Sequence, residues 1–247
     1  MARRFIVEAS DMKRINASDN IMEISGKEVK HIQVLRHQVG ERIVINEYVC
    51  EILEMKKNSS VIEIVAMAEK VGEPKVPVTL YIAMLKGEKM DLVVQKAVEL
   101  GVKNIVPFFC NNTVVKLDEK GKIKRQTKLQ MIADEACKQC GRTDRVVVVD
   151  IITFKELLLK MAKKVLTILA YEKETAPLRE VLEQIKKIDS LQEVAMIIGP
   201  EGGFDEVEIH QLRSFEWIEC VSLGSRILRA ETAVFHLLSI MMYELEG

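Results

Sequence analysis

Two short segments near the end of the chain combine glycines with charged side chains and are the best candidates for chemistry. The first is Ile198–Phe204, with the sequence IGPEGGF, and the second is Leu223–Ala233, with the sequence LGSRILRAETA. Each segment begins where an apolar run ends and precedes a helical pattern. Glycine lets a main chain approach a ligand closely, and loops at the ends of parallel strands commonly form small-molecule sites. The sequence therefore predicts one ligand site built from both segments.

The second segment supplies charge to this predicted site. Arg226 and Arg229 lie three residues apart, and Glu231 and Thr232 follow just before a predicted helix. An arginine at such a corner suits an anionic ligand, or a carbonyl group that gains negative charge. A structural role, in which Arg229 pairs with Glu231 or Glu201, stays open. The first segment matches neither GxGxxG nor GxxxxGK[ST], which argues against ordinary dinucleotide and P-loop sites.

Other catalytic patterns are poorly supported. The histidines show no metal-ligand spacing and no triad pattern, and they lie at His31, His37, His210 and His236. Cys137 and Cys140 form a CxxC pair, but no second pair or nearby histidine completes a zinc site. The pair also falls near a predicted helix C-terminus, whereas reactive thiols gain from a helix N-terminus. We predict no metal and interpret the two cysteines as helix-packing residues.

The elements that must position the site fall into two parts. The first 72 residues are mostly strand-like, with predicted strands at Phe5–Ala9, Ile21–Ser25, Glu41–Glu47, Tyr48–Met55 and Val61–Ala68. Ser25 to Glu28 has the form of a capping box and predicts one helix among them. Such strands favour a small barrel-like β domain. The glycine- and proline-containing stretch Val71–Pro77 is the predicted linker.

From Val78 onward, strand and helix patterns alternate. The predicted strands are Val78–Leu85, Asn104–Phe109, Arg145–Ile152, Val165–Tyr171, Val194–Ile198 and Trp217–Leu223. The predicted helices are Met90–Leu100, Gln126–Gln139, one that begins with a capping box at Thr153–Glu156, Leu178–Ile188, Asp205–Phe215 and Thr232–Leu245. Continuously apolar strands between helices indicate a parallel sheet covered on both faces.

Composition limits the class of protein. Of 247 residues, 48% are apolar and 30% charged, which is typical of a folded protein, and no apolar stretch approaches the ~18 residues of a membrane span. Five scattered cysteines favour reduced thiols, so we expect a cytoplasmic protein. The net charge is −1, so a polyanion must use local patches. The best patch is Lys116–Lys128, followed by Arg142 and Arg145, although a solvated helix face has the same pattern.

Taken together, these segments resemble the ribosomal RNA small subunit methyltransferase E family, which belongs to the SPOUT superfamily. The resemblance rests on Ile198–Phe204, Leu223–Ala233, Lys86–Asp91, Gln95–Gly101 and Glu135–Arg142, with Arg4-Phe5 and His31–Arg36 in the first domain. It implies a PUA-like β-barrel RNA-binding domain (residues 1–72) and an α/β methyltransferase domain whose parallel sheet carries a trefoil knot (residues 73–247). It also implies a homodimer that methylates N3 of one uridine in small-subunit ribosomal RNA with S-adenosylmethionine (SAM).

The resemblance also assigns roles to residues. Arg229 would stabilise the uracil anion, and Glu231 is the weaker candidate for the base. The expected cofactor-binding residues are Leu169, Ala170, Tyr171, Glu172, Ile198, Gly199, Pro200, Gly202, Leu223, Gly224, Ile227, Leu228, Thr232 and Ala233. The expected RNA-binding residues are Arg4, Arg36, Lys86 and Arg142, together with the Lys120–Lys128 patch.

The chain departs from the family pattern at several positions. Ser225 replaces a usual proline, Ala230 a usual threonine and Lys89 a common arginine, and Asn112-Thr113 stand where an ERS-like segment is frequent. Two other functions stay open. One is a knotted methyltransferase that acts on a tRNA base or ribose, and the other is a non-catalytic RNA-binding assembly factor.

Overall fold

The computed structural model describes residues 4–15, 20–70, 72–161, 163–186, 188 and 191–246. The chain divides into two compact units. The first unit is Met1–Glu73 with Cys137–Arg145, and the second unit is Pro74–Ala136 with Val146–Gly247. The sequence placed a boundary between residues 72 and 73, and it did not assign Cys137–Arg145 to the first part. Nothing in the local pattern marks that segment, because it begins inside a continuous helix.

The described residues up to Glu73 in the first unit form a six-stranded sheet and one α-helix. The strands are β1 (Arg4–Phe5), β2 (Met12–Arg14), β3 (Ile21–Ser25), β4 (Arg42–Ile45), β5 (Tyr48–Met55) and β6 (Ser59–Met67), in the order β1-β4-β5-β6-β3-β2. Only β1 and β4 pair in parallel. Helix α1 (Lys27–Val34) packs Val29 and Ile32 into the apolar core with Phe5 and Ile24.

Several local predictions in this unit were correct and others were wrong. Strands β3 and β5 have the predicted bounds, whereas β2 was missed. The strand predicted at Phe5–Ala9 ends at Phe5, and Ala9–Asp11 forms a 3-10 turn. The capping box at Ser25 is absent. Gly26 occupies the N-cap of α1 with φ 84°, and the Ser25 hydroxyl donates to the main-chain oxygen of Asp11 at 3.4 Å.

The second unit is built on a parallel sheet. Its strands are β7 (Val78–Ala83), β8 (Asn104–Phe109), β9 (Val147–Val148), β10 (Ile152–Thr153), β11 (Thr167–Ala170), β12 (Val194–Ile198) and β13 (Ile218–Val221). The order is β10-β8-β7-β12-β11-β13, with β9 also on β8, and every pairing is parallel. The strand β12 is buried along its whole length, as expected for a sheet covered on both faces.

Six helices complete the second part of the chain as described. They are α2 (Glu88–Glu99), α3 (Glu119–Cys140), α4 (Phe154–Met161), α5 (Leu178–Ile185), α6 (Glu206–Arg213) and α7 (Ala230–Glu246). The capping box predicted for α4 is present, since Thr153 and Glu156 exchange hydrogen bonds. The one predicted for α6 is present at Asp205 and Glu208. Helix α7 packs against α2, and its Leu238 and Met241 are fully buried.

Two predicted elements of the second unit differ from the structure. The predicted strand Arg145–Ile152 is replaced by β9 and β10, which pair with separate parts of β8. Pro107 lies between those parts and has no N–H to donate, which explains an interrupted ladder. Helix α3 begins at Glu119, seven residues before the predicted start at Gln126. The predicted start was late because Gly121 and a run of charges weaken the helical pattern there.

Within the described ranges, no helix is long and apolar enough to span a membrane. The same ranges contain no group of three or more histidine, cysteine, aspartate or glutamate side chains arranged to hold a metal ion.

Candidate active site

A cavity of about 630 Å³ lies at the carboxyl ends of β11, β12 and β13. Strand β11 pairs with β12 on one side and with β13 on the other, so that Ala170 is in register with Ile198 and Val221. The loops that follow these three strands therefore meet at one edge of the sheet. The volume falls within the range of small-molecule and cofactor sites, and the position matches the usual ligand site of open parallel sheets.

The lining agrees closely with the cofactor residues expected from the sequence. All of them line the cavity except Leu169 and Thr232. Leu169 is fully buried within β11, and Thr232 is exposed on the first turn of α7. The lining also includes residues that were not expected to bind the cofactor: Lys89, Glu201, Gly203, Phe204, Ser222, Ser225, Arg226, Arg229 and Ala230.

The glycines of the 198–204 loop are required by their neighbours inside the protein. A Cβ atom on Gly199 would lie 2.9 Å from Cε2 of Phe204, and the Phe204 ring stacks on Phe108 with the centroids 6.1 Å apart. Gly203 has φ 69°, and a Cβ atom there would lie 2.8 Å from Oε1 of Glu172. The sequence had explained these glycines by the approach of a ligand. The structure adds that the Phe204 ring leaves no room for a side chain at Gly199, and that the left-handed backbone at Gly203 favours glycine.

A pair of asparagines after β8 supports the same loop. The Asn112 side-chain amide donates to the main-chain oxygen of Gly203 at 3.1 Å, and the Asn111 main-chain N–H donates to Glu208 Oε1 at 2.8 Å. The Asn111 side chain also binds Asp205, and this hydrogen bond lowers the pKa of the Asp205 carboxyl. The sequence treated Asn112 only as a departure from a family pattern. In the structure, Asn112 holds the loop that forms one wall of the cavity.

The charged groups of the cavity are arranged around Lys89. Its Nζ lies 3.4 Å from Glu201 Oε1 and 3.9 Å from Glu231 Oε1. Arg226 and Arg229 also line the cavity and are exposed. Over the described part of the chain, Arg229 forms no ion pair with Glu201 or Glu231. This leaves its guanidinium available to a ligand, in contrast to the structural pairing that the sequence left open.

Glu231 lies beside the cavity rather than in its lining. Its side chain is 14% exposed, and its Oε2 atom is shielded from solvent with no hydrogen-bond partner among the described residues. Lys89, and not Glu231, is part of the lining. This position favours a supporting role for Glu231 over direct contact with a substrate.

The predicted RNA-binding residues have different settings. Lys86, in the second unit, and Arg36, in the first unit, are exposed. Arg4 is half-buried, its Nη1 donates to the main-chain oxygen of Gly141 at 3.1 Å, and burial lowers the pKa of its guanidinium. Arg142 is only 3% exposed, and its Nη2 lies 2.6 Å from Glu73 Oε2. The prediction that Arg142 grips RNA is therefore not supported, because contact with a phosphate would require breaking a buried ion pair.

The basic patch at Lys116–Lys128 is only partly available to a ligand. Arg125 and Lys128 both bind Asp91, at 2.8 and 2.6 Å, and Lys122 binds Glu119. Lys116, Lys120 and Lys124 are exposed. The charge available to a polyanion is therefore smaller than the sequence indicates.

Comparison with known proteins identifies the family. Residues 72–242 match the family model described as an RNA methyltransferase domain. The chain is 33% identical over 236 residues to ribosomal RNA small subunit methyltransferase E of Bacillus subtilis, covering 90% of each protein. It is 31% identical over 231 residues to the protein of the same name from Aquifex aeolicus, covering 90% of this chain and 94% of that one.

Solved structures give the same result. The fold matches a ribosomal RNA small subunit methyltransferase E from Neisseria gonorrhoeae bound to S-adenosyl methionine, with a TM-score of 0.79, 29% identity and coverage of 98% of this chain and 97% of that one. It also matches a protein from Legionella pneumophila solved in complex with the cofactor SAM, with a TM-score of 0.79, 28% identity and coverage of 98% of each chain. The chain thus belongs to the ribosomal RNA small subunit methyltransferase E family.

Proposed function

We propose that this protein transfers a methyl group from SAM to N3 of one uridine in small-subunit ribosomal RNA. The observation that carries the proposal is the cavity at the ends of β11, β12 and β13, which combines a glycine-rich wall with the exposed Arg229. Relatives of this chain are named ribosomal RNA small subunit methyltransferase E, and two neighbours of similar fold were solved with SAM.

The proposal includes the finer features of the family fold. The second unit would carry the trefoil knot of SPOUT enzymes in the segment that contains β12, β13 and α7. The six-stranded sheet of the first unit would form the PUA-like barrel. We also propose that the enzyme works in the cytoplasm as a homodimer.

The residues of the cavity fit a nucleoside-containing cofactor. The walls come from the loops at 170–172, 198–204 and 222–230, and four of the lining residues are glycines, which leave main-chain groups uncovered. Such groups donate to and accept from an adenine edge without carrying charge. When bound, SAM supplies an electrophilic methyl group on its sulfonium, and this group needs no metal for its transfer. The loops hold the cofactor, and the charged residues beside them act on the acceptor base.

The acceptor is the difficult partner, because uridine N3 carries a proton and is a poor nucleophile until that proton leaves. Loss of the proton spreads negative charge over O2, N3 and O4, and the Arg229 guanidinium stabilises this charge. The electron pair left on N3 then forms the N–C bond as the methyl group leaves sulfur.

We propose water as the acceptor of the N3 proton, because Glu231 does not line the cavity. Measurements of single-turnover methylation with Glu231→Gln test this assignment. We expect a loss of about tenfold or less, because a general base contributes ~10²–10⁴ in rate and Glu231 is not one. A loss within the range of a general base would instead make Glu231 the acceptor, as the sequence suggested.

The target uridine must be unpaired or flipped out of its helix, because pairing and stacking hide N3. Arg36 and Lys86 are our candidates for contacts with the RNA backbone, together with the exposed lysines of the 116–128 patch. Because the net charge is only −1, a shaped substrate such as the ribosomal subunit fits better than free RNA.

Two measurements test the proposed function. Calorimetry should detect SAM binding to the purified protein, and mass spectrometry should find N3-methyluridine missing from the small-subunit RNA of a deletion strain. Reintroduction of the gene into that strain should restore N3-methyluridine and complete the test. Loss of a tRNA mark instead would indicate the rival methyltransferase function, and the absence of SAM binding would leave only an assembly role.

A further inference from the structure

Lys89 is a charged cavity residue to which the sequence gave no role in the reaction. It lies in the first turn of α2, and its side chain lines the cavity. Its Nζ contacts both Glu201, in the 198–204 loop, and Glu231, in the first turn of α7. Lys89 therefore connects the two segments that carry the family resemblance.

The ion pairs of Lys89 are longer than that of Lys128 on helix α3. The Nζ atom lies 3.4 and 3.9 Å from its two carboxylate partners, whereas Lys128 lies 2.6 Å from Asp91. Charge-assisted hydrogen bonds between ammonium and carboxylate groups are normally about 2.7–2.9 Å long. The Lys89 ammonium therefore has hydrogen-bond donors that its present partners do not use. These donors are available to a ligand in the cavity.

The position of Lys89 is unfavourable for local reasons. A cation in the first turn of a helix is repelled by the positive end of the helix dipole. Two carboxylates offset this repulsion, and one of them, Glu231, keeps its Oε2 atom shielded from solvent without a hydrogen-bond partner among the described residues. Local rules are most often broken at functional sites. The two glutamates hold an ammonium group at the cavity wall, where neither helix preference nor ideal pairing would place it.

We propose that Lys89 is a further catalytic residue, whose ammonium donates a hydrogen bond to a carbonyl oxygen of the target uracil. Together with Arg229 it stabilises the anion that forms when N3 loses its proton. Lys89 and Arg229 belong to different elements, the first turn of α2 and the loop before α7. Two cations on separate elements suit an anion whose charge is divided between O2 and O4. This inference rests on the proposed function and adds the second charge to it.

The inference also assigns roles to the two glutamates. Glu201 and Glu231 act through Lys89 and are positioning residues. Glu201 Oε1 is itself held by the main-chain N–H of Lys86 at 3.3 Å. We expect Glu231→Gln to cause no further loss of methylation rate once Lys89 is replaced, because the effects of residues that act as a unit are not additive.

The test compares Lys89→Met, which keeps the length of the side chain, with Lys89→Arg, which keeps the charge. Lys96→Met is the matched control, since Lys96 lies on the same helix, is 40% exposed against 38% for Lys89, and pairs with Glu99 instead of a cavity residue. With SAM and small subunits saturating, we expect Lys89→Met to lower the single-turnover rate by ~10²–10³, the usual cost of one charge-stabilising donor. Lys89→Arg should recover most of the rate, and the SAM dissociation constant should stay within about twofold in all three.

A second substrate separates charge stabilisation from a structural role. Fluorine at C5 of uracil makes the N3 proton easier to remove, so the reaction depends less on neighbouring cations. Small subunits reconstituted with 5-fluorouridine-containing RNA should therefore reduce the deficit of Lys89→Met relative to wild type. An equal deficit on both substrates would overturn the proposal.

Other results would overturn it as directly. The first is a single-turnover rate for Lys89→Met within about threefold of wild type, well below the cost of a lost donor. The second is a loss of SAM binding in that variant. The third is an equal loss of rate in Lys96→Met. Failure of the wild-type protein to form N3-methyluridine would instead overturn the proposed function, and this inference with it.

Discussion

Arg229 and Arg142 are the same residue type in opposite settings. Arg229 stands exposed in the lining of a cavity in the second unit, and no carboxylate of the cavity is paired with it. Arg142, in the first unit, is buried and grips Glu73 with both Nε and Nη2. Both lie in segments that carry the family resemblance, so residue type and motif membership could not separate them. Burial and saturation of the donors show which arginine is available for a substrate and which one stabilises the fold.

The largest effect is expected from Arg142→Ala. Removing one partner of a buried ion pair leaves the other charge unpaired, which typically costs about 3–5 kcal/mol of unfolding free energy. Urea denaturation of the full chain measures this loss. The double variant Arg142→Met with Glu73→Met should lose less than the single change, because no buried charge remains. A stability of Arg142→Ala equal to wild type would remove the contrast between the two arginines.

Arg229→Ala should produce the reverse result. We expect the single-turnover methylation rate to fall by ~10²–10³, because a donor to the developing negative charge is lost. The unfolding free energy should change by less than about 0.5 kcal/mol, as for exposed side chains in general. A near-normal rate with cofactor and RNA saturating would contradict the role of Arg229 in the reaction.

A pair of glycines extends the comparison from side chains to backbone. Gly203 in the cavity wall has φ 69° and Gly40 in the first unit has φ 87°. Alanine at either position should cost about 1–3 kcal/mol of stability, because a side chain rarely adopts this conformation. Only Gly203→Ala should also weaken SAM binding in calorimetry, since it displaces Glu172 and the loop. Equal SAM affinities in the two variants would argue against the loop as a cofactor wall.

The smallest effect is expected from Arg36→Ala. An exposed phosphate contact contributes little by itself, but its loss should lower the slope of log affinity against log salt concentration by about 0.7–0.9. Binding of small-subunit RNA measured between low and moderate salt gives that slope. Lys57→Ala is a suitable control because Lys57 is exposed in the same unit and belongs to no proposed RNA contact. An unchanged slope for Arg36→Ala would remove Arg36 from the RNA-binding surface.

Local patterns were sufficient for much of the fold. The run Val194–Ile198 was predicted with its observed bounds because a strand buried on both faces is continuously apolar. Asp205 and Glu208 predicted the start of α6 because a capping box is contained in four residues. Two of the cavity-lining loops were found in the same way, since each glycine-rich stretch follows its own apolar strand, whereas the loop at 170–172 was expected only from the family resemblance.

Long-range pairings were beyond such patterns. Lys89 meets Glu201 across 112 residues of sequence, and Arg142 meets Glu73 across 69. The first contact depends on β7 and β12 being neighbours in the sheet, an order that no single segment encodes. Residue type indicated that both cations were capable of binding an anion, but only the tertiary structure shows which partners they already have.

The packing of Phe204 beneath Gly199 has a consequence for anyone who wishes to redesign this enzyme. A methyl group at position 199 would collide with an aromatic ring that is itself stacked on Phe108, so position 199 cannot be varied while this ring stays in place. A library that randomises the loop one codon at a time would lose nearly every variant at 199. Combining Gly199→Ala with a smaller residue at 204 would change the shape of the cavity floor. Such double variants could then be selected for different cofactor analogues.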